Sequence, residues 1–313
     1  MSISLDTTVQ LADGKHIPQL GFGTYESTSE EAYSSVKQAL EAGYRHIVGG
    51  YSVQECYLTG IYTGYCRMWV TVLLSSVAQY LKGYENEEAC GKAIADFVEK
   101  SGVPRSEIFY TTKLMANNGL EHARKAIRES VRLSGLGYLD LYLIHGPYPD
   151  KESRLASWQA IEEAIDEGLI KSAGVSNYGV RHLEELYATS PKHPVTVNQL
   201  DLHPFMQRKE DVAYNKQHGI VLEAWGPLAR AMRFNNPVLK RVSEKHNKSP
   251  AQVLLRWSIQ NGYVPLPKSV KRERLESNKD IFDFELQQSD MDDLNKLDEY
   301  LVTDWDPIGD ASV

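Results

Sequence analysis

Short apolar runs alternate along the chain with stretches in which apolar residues recur every three or four positions. The first pattern is typical of buried strands and the second of amphipathic helices, so their alternation predicts repeated strand-helix units around a parallel sheet. Eight strand candidates follow one another, at residues 20–24, 44–47, 108–114, 139–145, 171–177, 195–200, 220–226 and 263–269.

A closed α/β barrel of eight strand-helix units, the (β/α)8 or TIM barrel, is the simplest architecture for this pattern, with residues 1–313 forming one domain. The Asp13-Gly14 turn between two short apolar segments predicts an N-terminal β-hairpin that would close the barrel bottom. In such barrels the chemistry lies at the C-terminal ends of the strands. Candidate functional residues are therefore expected at the strand ends.

Two helices are marked by their starting residues. Thr28 and Glu31 have the spacing of a capping box ahead of a helix over about residues 29–42. Ser249 and Gln252 repeat the spacing ahead of a second helix, and the proline between them suits a first helical turn.

Composition narrows the class of protein. A chain of 313 residues, 42% hydrophobic and 24% charged, is typical of a globular protein. Its net charge of −8 argues against a general affinity for nucleic acid or anionic membranes. The N-terminus lacks the pattern of a secretory signal, and the most apolar run, residues 68–78, is shorter than the roughly 20 residues that span a bilayer. We expect a cytoplasmic protein without membrane or nucleic-acid partners.

The three cysteines, Cys56, Cys66 and Cys90, are too few and too irregularly spaced for a disulfide framework or a zinc site. We expect free thiols and no bound metal.

Lys113 and His145 fall at the ends of two predicted strands, and a barrel would direct both into one mouth. Taken singly, the lysine is explained as a solvated charge and the histidine as a hydrogen-bonded structural residue. Tyr84 lies beside a predicted helix start. A tyrosine donates a proton more readily when a nearby cation lowers its pKa from about 10. The alternative for Tyr84 is a packed core or interface aromatic.

Nine stretches across nearly the whole chain resemble the aldo-keto reductase family: LADGKHIPQLGFGTY, ALEAGYRHI, GYENEEACGKAI, TTKL, YLDLYLIHGP, GLIKSAGVSNY, VNQLDLHPF, EAWGPLA and PLPKSVKRERLESN. The resemblance implies NADPH-dependent reduction of aldehydes or ketones to alcohols by hydride transfer. It implies that Tyr84 is the general acid, that Lys113 lowers the pKa of Tyr84, and that His145 orients the substrate.

The resemblance also implies a cofactor site for NADP(H). Ser176, Asn177 and Gln199 would hold the nicotinamide carboxamide, and Trp225 would stack on the ring. Two fixed cations in the KSVKRER stretch would recognise the 2′-phosphate that NADH lacks, although that stretch alone resembles a charged surface turn. The expected cofactor residues are Gly23, Thr24, Tyr25, Ser176, Asn177, Gln199, Trp225, Gly226, Leu228, Lys268, Ser269, Val270, Arg274 and Asn278.

Two glycines depart from the family pattern around the pocket. Gly146 stands where many members have tryptophan, and Gly226 stands where serine is usual. We expect both changes to enlarge or loosen the pocket. Trp305, in the C-terminal tail, is explained equally by a contact with the pocket and by packing elsewhere.

The largest departure follows the second predicted strand. The family has Asp-Thr-Ala there, and its aspartate pairs with the lysine, but Val48 occupies the position. With that aspartate at 48 the tyrosine would be residue 53, so about 31 residues are extra (84 − 53 = 31). Residues 48–83 are thus predicted to be an atypical insertion. Two explanations stay open, a genuine lid or partner-binding insertion and retained non-coding sequence.

Losing the aspartate is expected to lower the pKa of buried Lys113 and to reduce activity. This loss leaves a second hypothesis open, in which the chain is a non-catalytic, redox-sensing module that binds NADP(H). A third hypothesis is a barrel hydrolase that uses paired carboxylates, but no pair of acids is evident at the strand ends.

Overall fold

The computed structural model describes residues 3–50 and 86–311. Its strands are β1 Thr8–Gln10, β2 His16–Pro18, β3 Phe22–Gly23, β4 His46–Val48, β5 Phe109–Leu114, β6 Leu139–Ile144, β7 Ile170–Ser176, β8 Val197–Asp201, β9 Val221–Trp225 and β10 Val264–Pro265. Its α-helices are α1 Ser29–Glu41, α2 Glu87–Ser101, α3 Leu120–Ser134, α4 Lys151–Asp166, α5 Val180–Tyr187, α6 Lys209–Gln217, α7 Pro237–His246, α8 Pro250–Gln260, α9 Arg272–Lys279 and α10 Gln288–Asn295.

Strands β3 to β10 form one parallel sheet in sequence order. The two edges of the sheet meet, because the backbone N–H of Gly21 donates to the carbonyl of Pro265 at 3.1 Å, and that of Gly23 donates to Pro267 at 3.1 Å. The predicted (β/α)8 barrel is confirmed. All eight predicted strands are present, several of them shorter than expected.

The N-terminal hairpin is also confirmed. Val9 of β1 lies opposite Ile17 of β2 in an antiparallel pair. Leu11 and Ile17 pack among apolar residues that point into the barrel, including Val221 and Val264. The hairpin therefore closes one end of the barrel and leaves the other end for a site.

Capping boxes start two helices as predicted. In α1 the N–H of Glu31 donates to the Thr28 hydroxyl at 3.3 Å, and the N–H of Thr28 donates to the Glu31 carboxylate at 3.0 Å. The same reciprocal pair joins Ser249 and Gln252 at the start of α8. A side-chain cap of this kind contributes about 1 kcal/mol.

The predicted insertion begins inside a strand. Val48 is the last residue of β4 and pairs with Thr111 of β5. Gly50 and Asn86 lie together, because the N–H of Asn86 donates to the Gly50 carbonyl at 3.2 Å and the N–H of Gly50 donates to Asn86 Oδ1 at 3.3 Å. The described residues on either side of positions 51–85 are therefore hydrogen-bonded neighbours.

Three residues named from the sequence, Tyr84, Cys56 and Cys66, lie outside the described residues. Cys90 is buried in α2 with a free thiol. Across residues 3–50 and 86–311, no helix has the length and apolar content required to span a membrane.

Candidate active site

A cleft of about 810 Å³ lies at the C-terminal ends of the barrel strands. The alternation of side chains along a strand turns every second residue toward the barrel axis, so the strands deliver side chains to the cleft at their ends. The structure brings together many of the residues predicted for the site. The cleft is lined by Gly23, Thr24, Tyr25, Lys113, His145, Ser176, Asn177, Gln199, Trp225, Gly226, Leu228, Lys268, Arg274 and Asn278.

Lys113 and His145 face the cleft in an environment that alters their protonation. Lys113 is 2% exposed, and its burial lowers the pKa of the ammonium group, an effect that the nearby Glu223 carboxylate opposes. Burial and the charge of Lys113 lower the pKa of His145 to about 3. The His145 imidazole is therefore neutral near pH 7 and suits a hydrogen-bonding role better than proton donation.

Glu223 is a buried carboxylate that the sequence motifs did not reveal. It lies on β9 and is completely buried. Its Oε2 accepts a hydrogen bond from Gln199 Nε2 at 2.5 Å, and its Oε1 lies 3.5 Å from His46 Nε2. Burial raises the pKa of Glu223, while the Gln199 bond and Lys113 lower it. Its position two residues before Trp225 would have placed it on the inward face of the strand.

Asn177 links the residues expected to surround the nicotinamide. Its Oδ1 accepts a hydrogen bond from the Trp225 indole at 2.9 Å, and its Nδ2 donates to the backbone carbonyl of His145 at 2.9 Å. The Ser176 hydroxyl donates to the backbone carbonyl of Gln199 at 2.9 Å. These bonds cross from β6 to β9 and fix the orientation of the Trp225 ring at the cleft.

The cleft also carries the cations predicted to recognise a phosphate. Lys268 and Arg274 line it together with Asn278. Ser269 and Val270 are not among the lining residues. The Ser269 hydroxyl instead accepts the N–H of Lys271 at 3.0 Å, in the turn that leads into α9, and Val270 is 40% exposed. The predicted contacts of these two residues with the cofactor stay a prediction.

The C-terminal tail forms one wall of the cleft. Trp305 lines it, with its ring centroid 5.3 Å from that of His145 and 6.0 Å from that of Tyr148. A Cβ at Gly146 would lie 2.8 Å from Trp305 Cη2. The expectation that Gly146 enlarges the pocket is wrong, because the tail tryptophan occupies that space.

Gly226 also provides space for the tail rather than for substrate. Its φ is +60°, and a Cβ there would lie 2.9 Å from Asp201 Oδ1 and 3.3 Å from Thr303 Oγ1. The Thr303 hydroxyl donates to Asp201 at 3.0 Å. The loosening predicted at Gly226 is likewise wrong, because this buried contact attaches the tail to β8.

A second attachment of the tail is formed by residues that line the cleft. Asp304 accepts a hydrogen bond from the Tyr25 hydroxyl at 3.0 Å and forms an ion pair with Arg230 at 2.9 Å. The Arg230 guanidinium also lies over the Tyr25 ring, 5.4 Å from its centroid. Tyr25 follows β3 and Arg230 follows β9, the two strands that flank β10 in the closed barrel, so the tail connects the segments that follow these strands.

The lining residues fit NADP(H). A planar aromatic side chain, Trp225, and the amide of Gln199 line the cleft, and Lys268 and Arg274 supply positive charge to it. A nicotinamide ring suits the first group and a phosphate suits the second. The volume is also within the range of cofactor sites.

The family model described as "Aldo/keto reductase family" matches residues 19–299. The chain belongs to the aldo-keto reductase family. A glyoxal reductase of Bacillus subtilis is 40% identical over 95% of each chain, and a methylglyoxal reductase of Escherichia coli is 35% identical over 94% of each. The crystal structure of a Bombyx mori aldo-keto reductase in complex with NADP is similar with a TM-score of 0.80 and 30% identity, covering 96% of this chain and 95% of that one.

This membership confirms the resemblance seen in the sequence motifs. The protein is an NADP-dependent oxidoreductase, its substrates are small carbonyl compounds, and its cofactor is NADP(H).

Proposed function

We propose that the cleft reduces small aldehydes, in particular 2-oxoaldehydes such as glyoxal and methylglyoxal, with Tyr84 as general acid. The observation that carries the proposal is that Lys113, His145, Gln199 and Trp225 line one cleft. The B. subtilis and E. coli relatives, named for reduction of glyoxal and methylglyoxal, support the substrate class.

The roles follow from the chemistry of each group. When bound, NADPH supplies the hydride that the carbonyl carbon accepts. The Tyr84 phenol gives its proton to the carbonyl oxygen, and the Lys113 ammonium stabilises the phenolate that remains. Neutral His145 donates a hydrogen bond that orients the same oxygen. Trp305 packs beside His145 and restricts the space there, which favours small substrates.

The position of Asn86 supports the role of Tyr84. Asn86 is buried, and its Nδ2 donates to the backbone carbonyl of Thr24, a residue that lines the cleft. Asn86, the first described residue after Tyr84 in the sequence, therefore contacts a residue of the cleft lining. Tyr84 itself lies outside the described residues, and its role is proposed from the GYENEEACGKAI motif.

We also propose that residues 1–313 form one domain, that residues 48–83 contain an insertion, and that the insertion impairs turnover. Gly50 and Asn86 are hydrogen-bonded although they are 36 positions apart. A shorter connection between them is therefore compatible with the barrel. The family aspartate that would pair with Lys113 is absent at Val48. We expect weak reduction of aldehydes and near-normal binding of NADPH, because the cofactor residues come mainly from later strands.

The test is a repaired variant in which residues 48–83 are replaced by a five-residue segment that begins Asp-Thr-Ala (36 − 31 = 5). NADPH oxidation is followed by absorbance with a panel of aldehydes, and NADPH binding is followed separately by fluorescence quenching. We expect kcat to rise at least tenfold, because the repair restores one missing charge interaction. The Kd for NADPH should be unchanged. Tyr84→Phe in either background should abolish turnover and retain binding.

Unchanged turnover after the repair would contradict the proposed impairment. Binding of NADPH without oxidation in both chains, for every aldehyde, would contradict the reductase and favour a regulatory module that binds the cofactor.

A further inference from the structure

The segment that follows β6 is held firmly beside the cleft. Each of its three consecutive backbone carbonyls accepts a hydrogen bond from a buried side chain. Asn117 Nδ2 donates to the carbonyl of Gly146 at 2.8 Å and to that of Tyr148 at 2.6 Å, and Arg154 Nη1 donates to the carbonyl of Pro147 at 3.0 Å. Asn117 is 2% exposed and Arg154 is 3% exposed. Buried donors therefore fix the position of this segment.

Tyr148, in this fixed segment, contacts the C-terminal tail at two places. Its ring is stacked with that of Trp305, with centroids 6.0 Å apart and an interplanar angle of 23°. Its hydroxyl donates a hydrogen bond to Asp310 Oδ2 at 2.7 Å. Trp305 lines the cleft, whereas Tyr148 is not among the described residues that line it. Any effect of Tyr148 on the cleft therefore passes through the tail.

We propose that Tyr148 is a positioning residue that fixes the Trp305 indole against His145 and thereby sets the size of substrate that the cleft accepts. This inference deepens the proposed function and rests on it for the identity of the substrate site. It assigns the narrowness of that site to the contact between the β6 segment and the tail, rather than to Trp305 alone.

The surroundings of the indole support this assignment. Trp305 packs on residues of one short stretch, with its ring centroid 5.3 Å from that of His145 and 6.0 Å from that of Tyr148. Between these two residues, a Cβ at Gly146 would lie 2.8 Å from Trp305 Cη2. Gly146 therefore leaves room for the indole to approach, and the Tyr148 ring provides a favourable aromatic contact that holds it there.

The backbone around Trp305 has attachments of its own. The Thr303 hydroxyl donates to a buried aspartate of β8 at 3.0 Å, and Asp306 forms an ion pair with Arg208 at 2.8 Å. These contacts place the backbone of Trp305, but the direction of its side chain depends on the rings against which it packs. Loss of the Tyr148 side chain should therefore release the indole without detaching the tail.

The first test observes the Trp305 ring and requires no turnover. The full chain is labelled with 5-fluorotryptophan, and the ¹⁹F resonance of Trp305 is assigned by its loss in Trp305→Phe. In Tyr148→Leu, which removes the stacked ring and the bond to Asp310, this resonance should move toward its position in the urea-unfolded chain. Tyr148→Phe keeps the ring, so its shift should be smaller. Should Tyr148→Leu not fold, Tyr148→Met gives the same test with a more adaptable side chain.

Tyr187→Leu is the matched control. Tyr187, the last residue of α5, also stacks on a second ring, that of His218, at 5.5 Å and 20°. The same substitution there should leave the Trp305 resonance unchanged. An unshifted resonance in folded Tyr148→Leu would overturn the proposal. Equal shifts in the two variants would overturn it as well, because they would indicate a general structural effect.

The second test measures substrate selection. In Tyr148→Leu the ratio of kcat/KM for benzaldehyde to that for methylglyoxal should rise by about three- to tenfold, because the indole no longer restricts the space beside His145. The double variant with Trp305→Ala should have the ratio of Trp305→Ala alone, since both changes act on one contact. A further rise in the double variant would contradict a role that acts through Trp305.

The fluorine measurement is independent of reductase activity. A Trp305 resonance that shifts in Tyr148→Leu, with no aldehyde reduced by any variant, would refute the proposed function alone. Reduction of aldehydes with an unshifted resonance would refute this inference alone.

Discussion

Gly226→Ala tests whether the glycine after Trp225 exists to accommodate the tail. Two costs are expected. The left-handed backbone at φ +60° costs a residue with a Cβ about 1 to 2 kcal/mol. The new Cβ would also lie 2.9 Å from Asp201 Oδ1 and 3.3 Å from Thr303 Oγ1, and such overpacking costs about 1 to 3 kcal/mol. Together they predict a loss of about 2 to 5 kcal/mol in the free energy of unfolding.

The matched control separates the two costs. Gly168 has φ +77°, but no atom lies within 4 Å of the position that a Cβ would occupy, so Gly168→Ala should lose about 1 to 2 kcal/mol from the backbone alone. Urea denaturation followed by circular dichroism gives both values, provided that the m-values agree. Equal losses in the two variants would refute the argument that Gly226 makes room for Thr303 and the tail.

Three further predictions concern the cleft. Arg274→Met should weaken NADPH binding by about 10- to 100-fold and leave NADH binding nearly unchanged, because a charge-assisted contact with phosphate contributes about 1.5 to 3 kcal/mol; equal weakening of both cofactors, measured by fluorescence quenching, would contradict this role. Trp305→Ala should raise kcat/KM for bulky aldehydes relative to methylglyoxal by about tenfold, since pocket contacts contribute about 1 to 3 kcal/mol each, and an unchanged ratio would show that Trp305 does not limit substrate size. Because the pKa of His145 is lowered to about 3, its imidazole is neutral throughout the range from about pH 5 to 8. The pH profile of kcat/KM should therefore contain no step in that range that disappears in His145→Gln.

Local sequence patterns were sufficient to predict the barrel. Strands and helices repeat with distinct hydrophobic periods, and the capping boxes at Thr28 and Ser249 are short-range interactions within one turn. Strand lengths were less predictable. The predicted strand 263–269 is reduced to Val264–Pro265, because prolines at 265 and 267 lack the N–H that a strand donates to its neighbour.

The contact between Gly146 and Trp305 could not be predicted from local sequence patterns. The two residues are 159 positions apart (305 − 146 = 159), and their contact exists only after the tail folds across the cleft. A missing side chain therefore suggested a larger pocket, whereas a distant tryptophan occupies the space. Glu223 was overlooked for a different reason. It lies within an apolar strand, and its inward direction becomes informative only when the register with Gln199 is known.

The central claim is that this cleft transfers hydride from NADPH to a carbonyl carbon. It is tested most directly by incubating the full chain and its repaired variant with methylglyoxal and NADPH deuterated at C4, and by measuring deuterium in the product by mass spectrometry. The account predicts one deuterium on the former carbonyl carbon of the alcohol, formed faster by the repaired variant. Bound NADPH with no deuterium in any product, from either chain, would contradict it.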